Sequence, residues 1–148
     1  MAADRRPVLV APDSFKGTLT SREVAGAVAS GLEDREIPVD AMPLADGGEG
    51  TMEILVDALG GEEVEVEAHD ALMRPLKAKI ALDVGAPGTA VVETAQAIGL
   101  PLIDEADRDP EAASSYGAGE LILAATRAGA SKVIVAVGGS ATTDGGAG

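Results

Sequence analysis

Four glycine-rich loops carry most of the side chains in this sequence that could do chemistry. In the first, APDSFKGT, Asp13, Ser14 and Lys16 precede Gly17. A lysine in a loop that leads into a helix suits phosphate or carboxylate. A solvated lysine in a tight turn explains the same residues equally well. This loop alone therefore leaves both interpretations open.

The second loop, PLADGGEGTM, interleaves glycines with carboxylates. Glycine lets backbone N–H groups approach a ligand closely. Asp46 and Glu49 repel phosphate, but they can hold a magnesium ion whose other oxygen ligands include phosphate. Alternatively, Asp46 caps the next helix and Glu49 only favours its positive end. The candidate binding positions are Gly47, Gly48, Glu49, Gly50 and Thr51, whose hydroxyl could donate or cap.

Two later loops have a similar composition. SSYGAGE opens a predicted helix, where N–H groups and the Ser115 hydroxyl suit an anion, although ordinary helix capping also explains them. GGSATTDGG follows a predicted strand and is long and glycine-dense for a simple turn. Its small hydroxyls and Asp144 fit phosphate together with a metal ion. The candidate positions in this loop are Gly138, Gly139, Ser140 and Asp144.

Composition excludes several other functions. The chain has no Cys, so disulfides and thiolate chemistry are absent, and the single His69 cannot build a zinc site. We expect His69 to be a surface residue. A formal charge of -14 and only two aromatic residues argue against nucleic-acid or anionic-membrane partners. Neither GxxxxGK[ST] nor GxGxxG occurs. No long apolar run is present, so we expect a cytoplasmic protein.

The elements that must position these loops alternate over the first 60 residues. The apolar run at 7–12 predicts a buried strand, and Thr20 with Glu23 has capping-box spacing for a helix. IPVDAMPL predicts a second strand, and MEILVDALGG predicts a helix that stops at Gly60. Strand, helix, strand and helix in this order indicate a parallel α/β sheet.

The pattern changes near residue 62. EVEVEAHD, RPLKAKIAL and TAVVET are strand-like runs with no helix-length spacer, which favours antiparallel hairpins. A helix is predicted at about 117–127, and SKVIVAV is a final buried strand. A strand and glycine-rich loop are normally followed by a helix, so we expect the chain to be the N-terminal part of a longer protein; a merely polar end is the alternative. We predict domains at 1–62 and 63–148.

Taken together, APDSFKGTLTS, PLADGGEGT, ASSYGAGELI and VIVAVGGSATTDGGAG resemble the glycerate kinase type I family in order and spacing. The resemblance covers about residues 8–148. It implies a flavodoxin-like, Rossmann-like parallel-sheet portion plus part of a second mixed α/β domain, with the active site in a cleft between domains. It also implies phosphorylation of D-glycerate, generally to 2-phosphoglycerate, with ATP and usually Mg²⁺. The remainder of the chain would complete the site.

Under this resemblance, Lys16 and Ser14 contact anionic groups, with Asp13 beside them. Asp46 is the candidate base or metal ligand, and Asp144 is the second candidate for both roles. The glycine backbones at 47–50 and 138–139 would hold phosphate or glycerate.

The sequence departs from the family pattern at two points. The family's glycine-containing turn is lost around Met73, and Thr143 stands where Asn is common. A non-catalytic α/β binding or regulatory module, or an inactive structural fragment, stays as the alternative function.

Overall fold

The computed structural model describes residues 6–15 and 17–148, and the chain forms two compact units that divide between Asp46 and Gly47. Each unit mixes helices and strands, which confirms the predicted α/β class. The predicted boundary at residue 62 refers to the domains of a longer protein and stays a prediction. Lys16 lies outside the described residues.

The first unit is a strand–helix–strand arrangement. β1 (Val8–Val10) pairs in parallel with β2 (Val39–Ala41), and α1 (Ser21–Glu33) connects them. The predicted capping box is confirmed: the Glu23 N–H donates to Thr20 Oγ1 at 3.2 Å, and the Thr20 N–H donates to Glu23 Oε2 at 2.8 Å. These bonds satisfy backbone donors that the first turn leaves without helical partners.

The second unit contains a four-stranded sheet in the order β3-β4-β5-β6. The predicted antiparallel hairpins are confirmed, since β3 pairs antiparallel with β4, and β4 with β5. The last pair, β5 and β6, is parallel because helices cross over between them. The elements are α2 (Thr51–Leu59), β3 (Glu62–His69), β4 (Pro75–Leu82), β5 (Thr89–Glu93), α3 (Ala95–Ile98), α4 (Tyr116–Arg127) and β6 (Lys132–Ala136). Short 3₁₀ turns occupy Leu100–Leu102 and Glu105–Asp107.

Helices cover both faces of this sheet. Alternate strand residues point to opposite faces, and the aliphatic core divides accordingly. Ile80 and Val92 pack in the cluster that contains Leu121 of α4. Ala81 and Val91 pack in a second cluster with Met52 of α2. Residue 93 lies two positions after Val91, so its side chain points to the same side of the sheet, the side that faces α2.

Two strands are less buried than the sequence predicts. In β1 only Val10 is buried, whereas Val8 and Leu9 are 42% and 60% exposed. In β6, Ile134 and Val135 are also partly exposed, at 38% and 37%. The expectation of fully buried strands is wrong at these positions. Within the described residues β1 and β6 each have one strand neighbour, so their side chains have adjacent strand side chains on one side only. None of the described helices has the length and apolar character needed to cross a membrane.

The turn between β3 and β4 forms around a buried carboxylate. Asp70 Oδ1 accepts the N–H groups of Leu72 at 2.8 Å and Arg74 at 2.9 Å, and Arg74 Nε donates to Oδ2 at 2.6 Å. Burial would raise the pKa of Asp70, but these bonds outweigh it and lower the pKa. Met73 has φ 62°, the left-handed conformation that glycine adopts readily. Met73 therefore takes a strained backbone conformation at the point where we expect the sequence to depart from the family pattern.

Candidate functional site

The site is built on the carboxyl ends of β5 and β6. These strands are parallel, so their ends meet at the same edge of the sheet, where α/β proteins bind ligands. The Thr94 N–H donates to Ala136 O at 3.0 Å, which holds the two strand ends together. The hydroxyls of Thr94 and Ser140 lie 3.4 Å apart. This edge therefore brings two small hydroxyls next to the backbone that leaves β6.

The second glycine-rich loop reaches the same edge. Gly48 is buried, and a Cβ atom added to Gly138 would lie 2.6 Å from the Gly48 Cα atom, closer than real Cβ atoms approach their neighbours. The two backbones thus contact each other directly because neither has a side chain. The structure brings together predicted positions from the second and fourth loops at this point.

Glu93 organises the start of α2 from the end of β5. Its carboxylate is 2% exposed and accepts the N–H of Gly50 at Oε1 (3.0 Å) and the N–H of Met52 at Oε2 (3.2 Å). The N-cap residue of α2 is Gly50, with φ 86° and no side-chain cap bond. The alternative in which Asp46 caps this helix is therefore wrong. The Gly50 N–H, predicted to contact a ligand, donates to Glu93 in this structure.

The pKa of Glu93 is raised, with burial as the largest cause. The two backbone N–H groups favour the charged form, whereas the carboxylates of Glu49 and Glu53 disfavour it. The charged form of Glu93 is therefore stabilised by the N–H groups of the loop and opposed by nearby carboxylates.

Thr51 lies between the two amides that Glu93 binds. Its Oγ1 atom is buried and has no hydrogen-bond partner among the described residues. A buried hydroxyl without a partner costs about 1–3 kcal/mol. Native proteins keep few such groups, so this hydroxyl is a candidate donor to a bound oxygen.

The fourth loop is anchored to the segment that follows α3. The Leu100 N–H donates to Gly139 O at 2.8 Å, and the Ala141 N–H donates to Ile98 O at 2.8 Å. These two bonds bracket Ser140 and fix it beside Thr94. Further along, the Thr143 hydroxyl donates to Pro110 O at 2.9 Å. The loop after β6 is therefore ordered by tertiary contacts and is not a free polar tail.

The carboxylate of Asp144 binds the N-terminus of α4. Its Oδ2 atom accepts the Ser115 N–H at 2.7 Å and the Ser115 hydroxyl at 2.9 Å, and Oδ1 accepts the Gly146 N–H at 3.1 Å. The Ser115 N–H is the first cause of a lowered pKa for Asp144. A carboxylate that stays ionised suits a metal better than it suits a general base.

The remaining predicted residues lie in the first unit. Pairing continues past β1 and β2, since the Leu44 N–H donates to Pro12 O at 2.9 Å. Asp13 follows this pair; it is exposed, and its Oδ1 accepts the Ser14 N–H at 2.7 Å. Asp46 is exposed at the end of the same unit. Within this unit, the strand ends thus present Asp13, Ser14 and Asp46 at neighbouring places.

His69 lies outside these loops. It ends β3, is 37% exposed, and its Nδ1 atom is 3.0 Å from Glu120 Oε2. The expectation of a surface histidine agrees with this partial exposure. Across the described residues, no group of three or more His, Asp or Glu side chains could enclose a metal ion.

The sequence identified Glu93 and Thr94 only as the end of a strand. The signal that could have revealed them is an acid placed immediately after three apolar strand residues, where burial is expected. The partner backbone amides lie more than 40 positions away, and no local pattern encodes them.

Glycine-rich backbone and small hydroxyls at the carboxyl edge of parallel strands define an α/β protein of the class that binds small ligands there. The sequence pattern of the glycerate kinase family matches residues 8–148, and the chain belongs to this family.

Named relatives agree with this assignment. The chain is 45% identical to "Glycerate 2-kinase" of Escherichia coli (strain K12) over 148 aligned residues, covering 95% of this chain and 37% of that protein. It is 43% identical to "Glycerate kinase" of Bacillus subtilis (strain 168) over 143 residues, with the same coverage of 95% and 37%. It also resembles the crystal structure of a glycerate kinase 2 from Salmonella typhimurium LT2, with a TM-score of 0.75, 41% identity, and coverage of 98% and 39%. The chain thus spans less than two fifths of these relatives' lengths.

Proposed function

We propose that the full-length protein transfers a phosphoryl group from ATP to D-glycerate and forms 2-phosphoglycerate. The observation that carries this proposal is the backbone contact between Gly48 and Gly138 beside the hydroxyls of Thr94 and Ser140. Such an arrangement offers backbone dipoles and neutral donors to an anion without side-chain obstruction. Membership of the glycerate kinase family supports the choice of substrate.

The residues present fit a phosphate-bearing ligand and Mg²⁺. The buried Thr51 hydroxyl has a donor proton and no acceptor among the described residues. Magnesium usually keeps several waters and binds one or two carboxylates plus phosphate, so it does not need a cluster of three acids. We propose Asp46 as either a ligand of Mg²⁺ or the general base, with Asp144 as the second candidate for these roles. When bound, Mg²⁺ would neutralise charge on the triphosphate.

The chain's own residues would then position the reaction. A hydroxyl of glycerate attacks the γ-phosphorus, the bond to ADP breaks, and the hydroxyl proton passes to a base, for which we propose Asp46. Lys16 and Ser14 contact anionic oxygens, with Asp13 beside them. Such catalysis depends mainly on orientation and charge stabilisation. The backbones at 47–50 and 138–139 supply the orientation.

Two alternative functions would give different experimental results. A non-catalytic α/β module would bind a ligand without turnover, and an inactive structural fragment would require the rest of its chain. We propose that the isolated 148-residue chain has weak or no kinase activity, that its partners are ATP, D-glycerate and the remainder of its own chain, and that it functions in the cytoplasm. Nucleic acids and membranes are not proposed as partners, given the charge of -14.

A coupled assay of the full-length protein with ATP, Mg²⁺ and D-glycerate tests this proposal. We expect glycerate-dependent ADP release and a product whose phosphorus NMR spectrum shows phosphate on the C2 oxygen. A C3 product would correct the regiochemistry. Binding of both substrates without turnover would favour the binding module and overturn the kinase proposal. Near-normal turnover in Asp46→Asn would remove Asp46 from the base and metal roles.

A further inference from the structure

Two acidic side chains of the second unit are buried, and they differ in what compensates their charge. Asp70 pairs with the Arg74 guanidinium. Glu93 is held instead by two backbone N–H groups, and the charged side chains that act on it, Glu49 and Glu53, are themselves acidic. Burying a carboxylate among acids is costly. Helix capping alone does not explain this arrangement, because a neutral side chain on the loop itself would cap the helix.

The two hydrogen bonds of Glu93 enclose one residue. Gly50 and Met52 are the amides bound, and Thr51 lies between them with its buried, unpartnered hydroxyl. Fixing the amides on both sides fixes the backbone that carries this hydroxyl. The same loop places Gly48 against Gly138. Glu93 is thus attached to the part of the loop where a ligand oxygen would be received.

We propose that Glu93 is the positioning residue of this site: by accepting the Gly50 and Met52 N–H groups, it holds Thr51 and the loop 47–51 in the conformation that receives an anionic substrate group. This inference rests on the proposed function. The group is either a phosphate of ATP or the carboxylate of glycerate. Both are anionic oxygens, and separate kinetic measurements for the two substrates distinguish them.

Two substitutions separate this role from a merely structural one. Glu93→Gln keeps the size but replaces one acceptor oxygen by an NH₂ group, which would face an amide N–H as a second donor. Glu93→Asp keeps both acceptor oxygens and shortens the side chain by one methylene. Glu62→Gln makes the same chemical change on exposed β3 in the same unit and serves as the matched control.

The first measurement is amide hydrogen exchange of the ligand-free full-length protein. We expect Glu93→Gln to accelerate exchange about 10-fold or more at the amides of Gly50 and Met52, since a hydrogen bond to a charged group is among the stronger ones. Amides of β3 and β4 should exchange as in the wild type. A uniform acceleration across the second unit would show a purely structural role and overturn the proposal, as would unchanged exchange at both amides.

The second measurement is steady-state kinetics of the same proteins. We expect Glu93→Gln to raise the KM for one substrate about 10-fold and to change the KM for the other by less than about 3-fold. Glu93→Asp should give an intermediate value, and Glu62→Gln the wild-type value. Unchanged KM values in both Glu93 variants would overturn the proposal. A wild-type protein without turnover would contradict the proposed function instead, and the exchange measurement would still decide whether Glu93 holds the loop.

Discussion

The two glycine-rich loops of the second unit are each organised by one carboxylate, but in opposite environments. Glu93 is buried and binds two amides of a loop from far along the chain, and its pKa is raised. Asp144 is partly exposed and binds Ser115 and Gly146, and its pKa is lowered. Both accept backbone N–H groups, but a different cause is largest in each case. Burial outweighs the hydrogen bonds of Glu93 and raises its pKa, whereas the hydrogen bonds of Asp144, led by the Ser115 N–H, outweigh burial and lower its pKa.

The two glycine-rich loops are fixed by acids from different places in the chain. The loop after β6 carries its own acid and uses it to bind the N-terminus of α4. The loop before α2 contains Asp46 and Glu49, yet its helix start is held by an acid from β5. The start of α2 is thus held by an acid that the loop itself does not carry.

The largest loss of activity is expected from a substitution at the contact between the two loops. In Gly138→Ala the new methyl group would meet the Gly48 Cα atom at 2.6 Å and force the backbones apart. We expect kcat/KM of the full-length protein in the proposed reaction to fall about 30- to 100-fold, which corresponds to the cost of overpacking a tight contact. Steady-state kinetics would measure it.

Gly119→Ala is the matched control for this substitution. Gly119 lies in α4, and a Cβ atom there would meet nothing within 4 Å. We expect kcat/KM to stay within about 2-fold of wild type, since alanine is favourable in a helix. Equal activity of the two alanine variants would show that the loop contact has no functional role.

Opposite pH dependences are expected for the two carboxylates. The folded-state pKa of Glu93 is raised above 4.5, so its contribution to the free energy of unfolding is complete below pH 4.5 and is lost as pH rises through that raised pKa. The pKa of Asp144 is lowered below 3.8, so its contribution is present above pH 3.8 and is lost as pH falls through the lowered value.

Denaturant unfolding from pH 3 to 8 of the wild type, Glu93→Gln and Asp144→Asn would measure these contributions as differences. The wild type should lose stability relative to Glu93→Gln with rising pH and gain it relative to Asp144→Asn. If both stability differences changed in the same direction with rising pH, the predicted contrast between Glu93 and Asp144 would be contradicted.

A smaller effect is expected at Thr51. Thr51→Val removes the buried, unpartnered hydroxyl and keeps the shape of the side chain. We expect the ligand-free protein to gain up to about 1 kcal/mol, because an unsatisfied polar atom is lost. The same variant should bind its anionic substrate more weakly. Thermal unfolding together with KM measures both changes, and a loss of stability without any change of KM would contradict a ligand role for the hydroxyl.

The smallest effect concerns a turn outside both loops. Met73 has φ 62° and a partly exposed side chain, so Met73→Gly relieves left-handed strain. We expect a gain of about 0.5–1 kcal/mol in the free energy of unfolding, after the entropic cost of glycine, with unchanged kinetics. Met73→Ala removes the side chain but keeps the strain and should gain nothing. A similar gain in both variants would assign the effect to the side chain instead.

Local patterns predicted much of this structure. The Thr20–Glu23 capping box, the stop of α2 at Gly60 and the antiparallel hairpins follow from short-range spacing and alternation, and the structure contains all three. The same holds for α4, predicted at 117–127 and observed at Tyr116–Arg127. These features depend on neighbouring residues, which a single sequence displays directly.

The tertiary contacts of the site were not predictable in this way. The bonds from Glu93 to Gly50 and Met52, and from Asp144 to Ser115, join residues 29 to 43 positions apart. Glycine content indicated the loops, but only the parallel pairing of β5 with β6 shows that two of them share an edge. The sequence therefore predicted which backbones are free of side chains and named Asp144 as a candidate, but it missed Glu93 and the partners that both acids bind.

The location of the site can be tested directly by amide hydrogen exchange of the full-length protein, with and without D-glycerate and a non-hydrolysable ATP analogue with Mg²⁺. We predict that the ligands protect amides at 47–52 and 138–141 about 10-fold or more, because both loops would close on anionic oxygens. Protection confined to other segments, such as the surface around His69 and Glu120, with none in these two loops, would contradict the account.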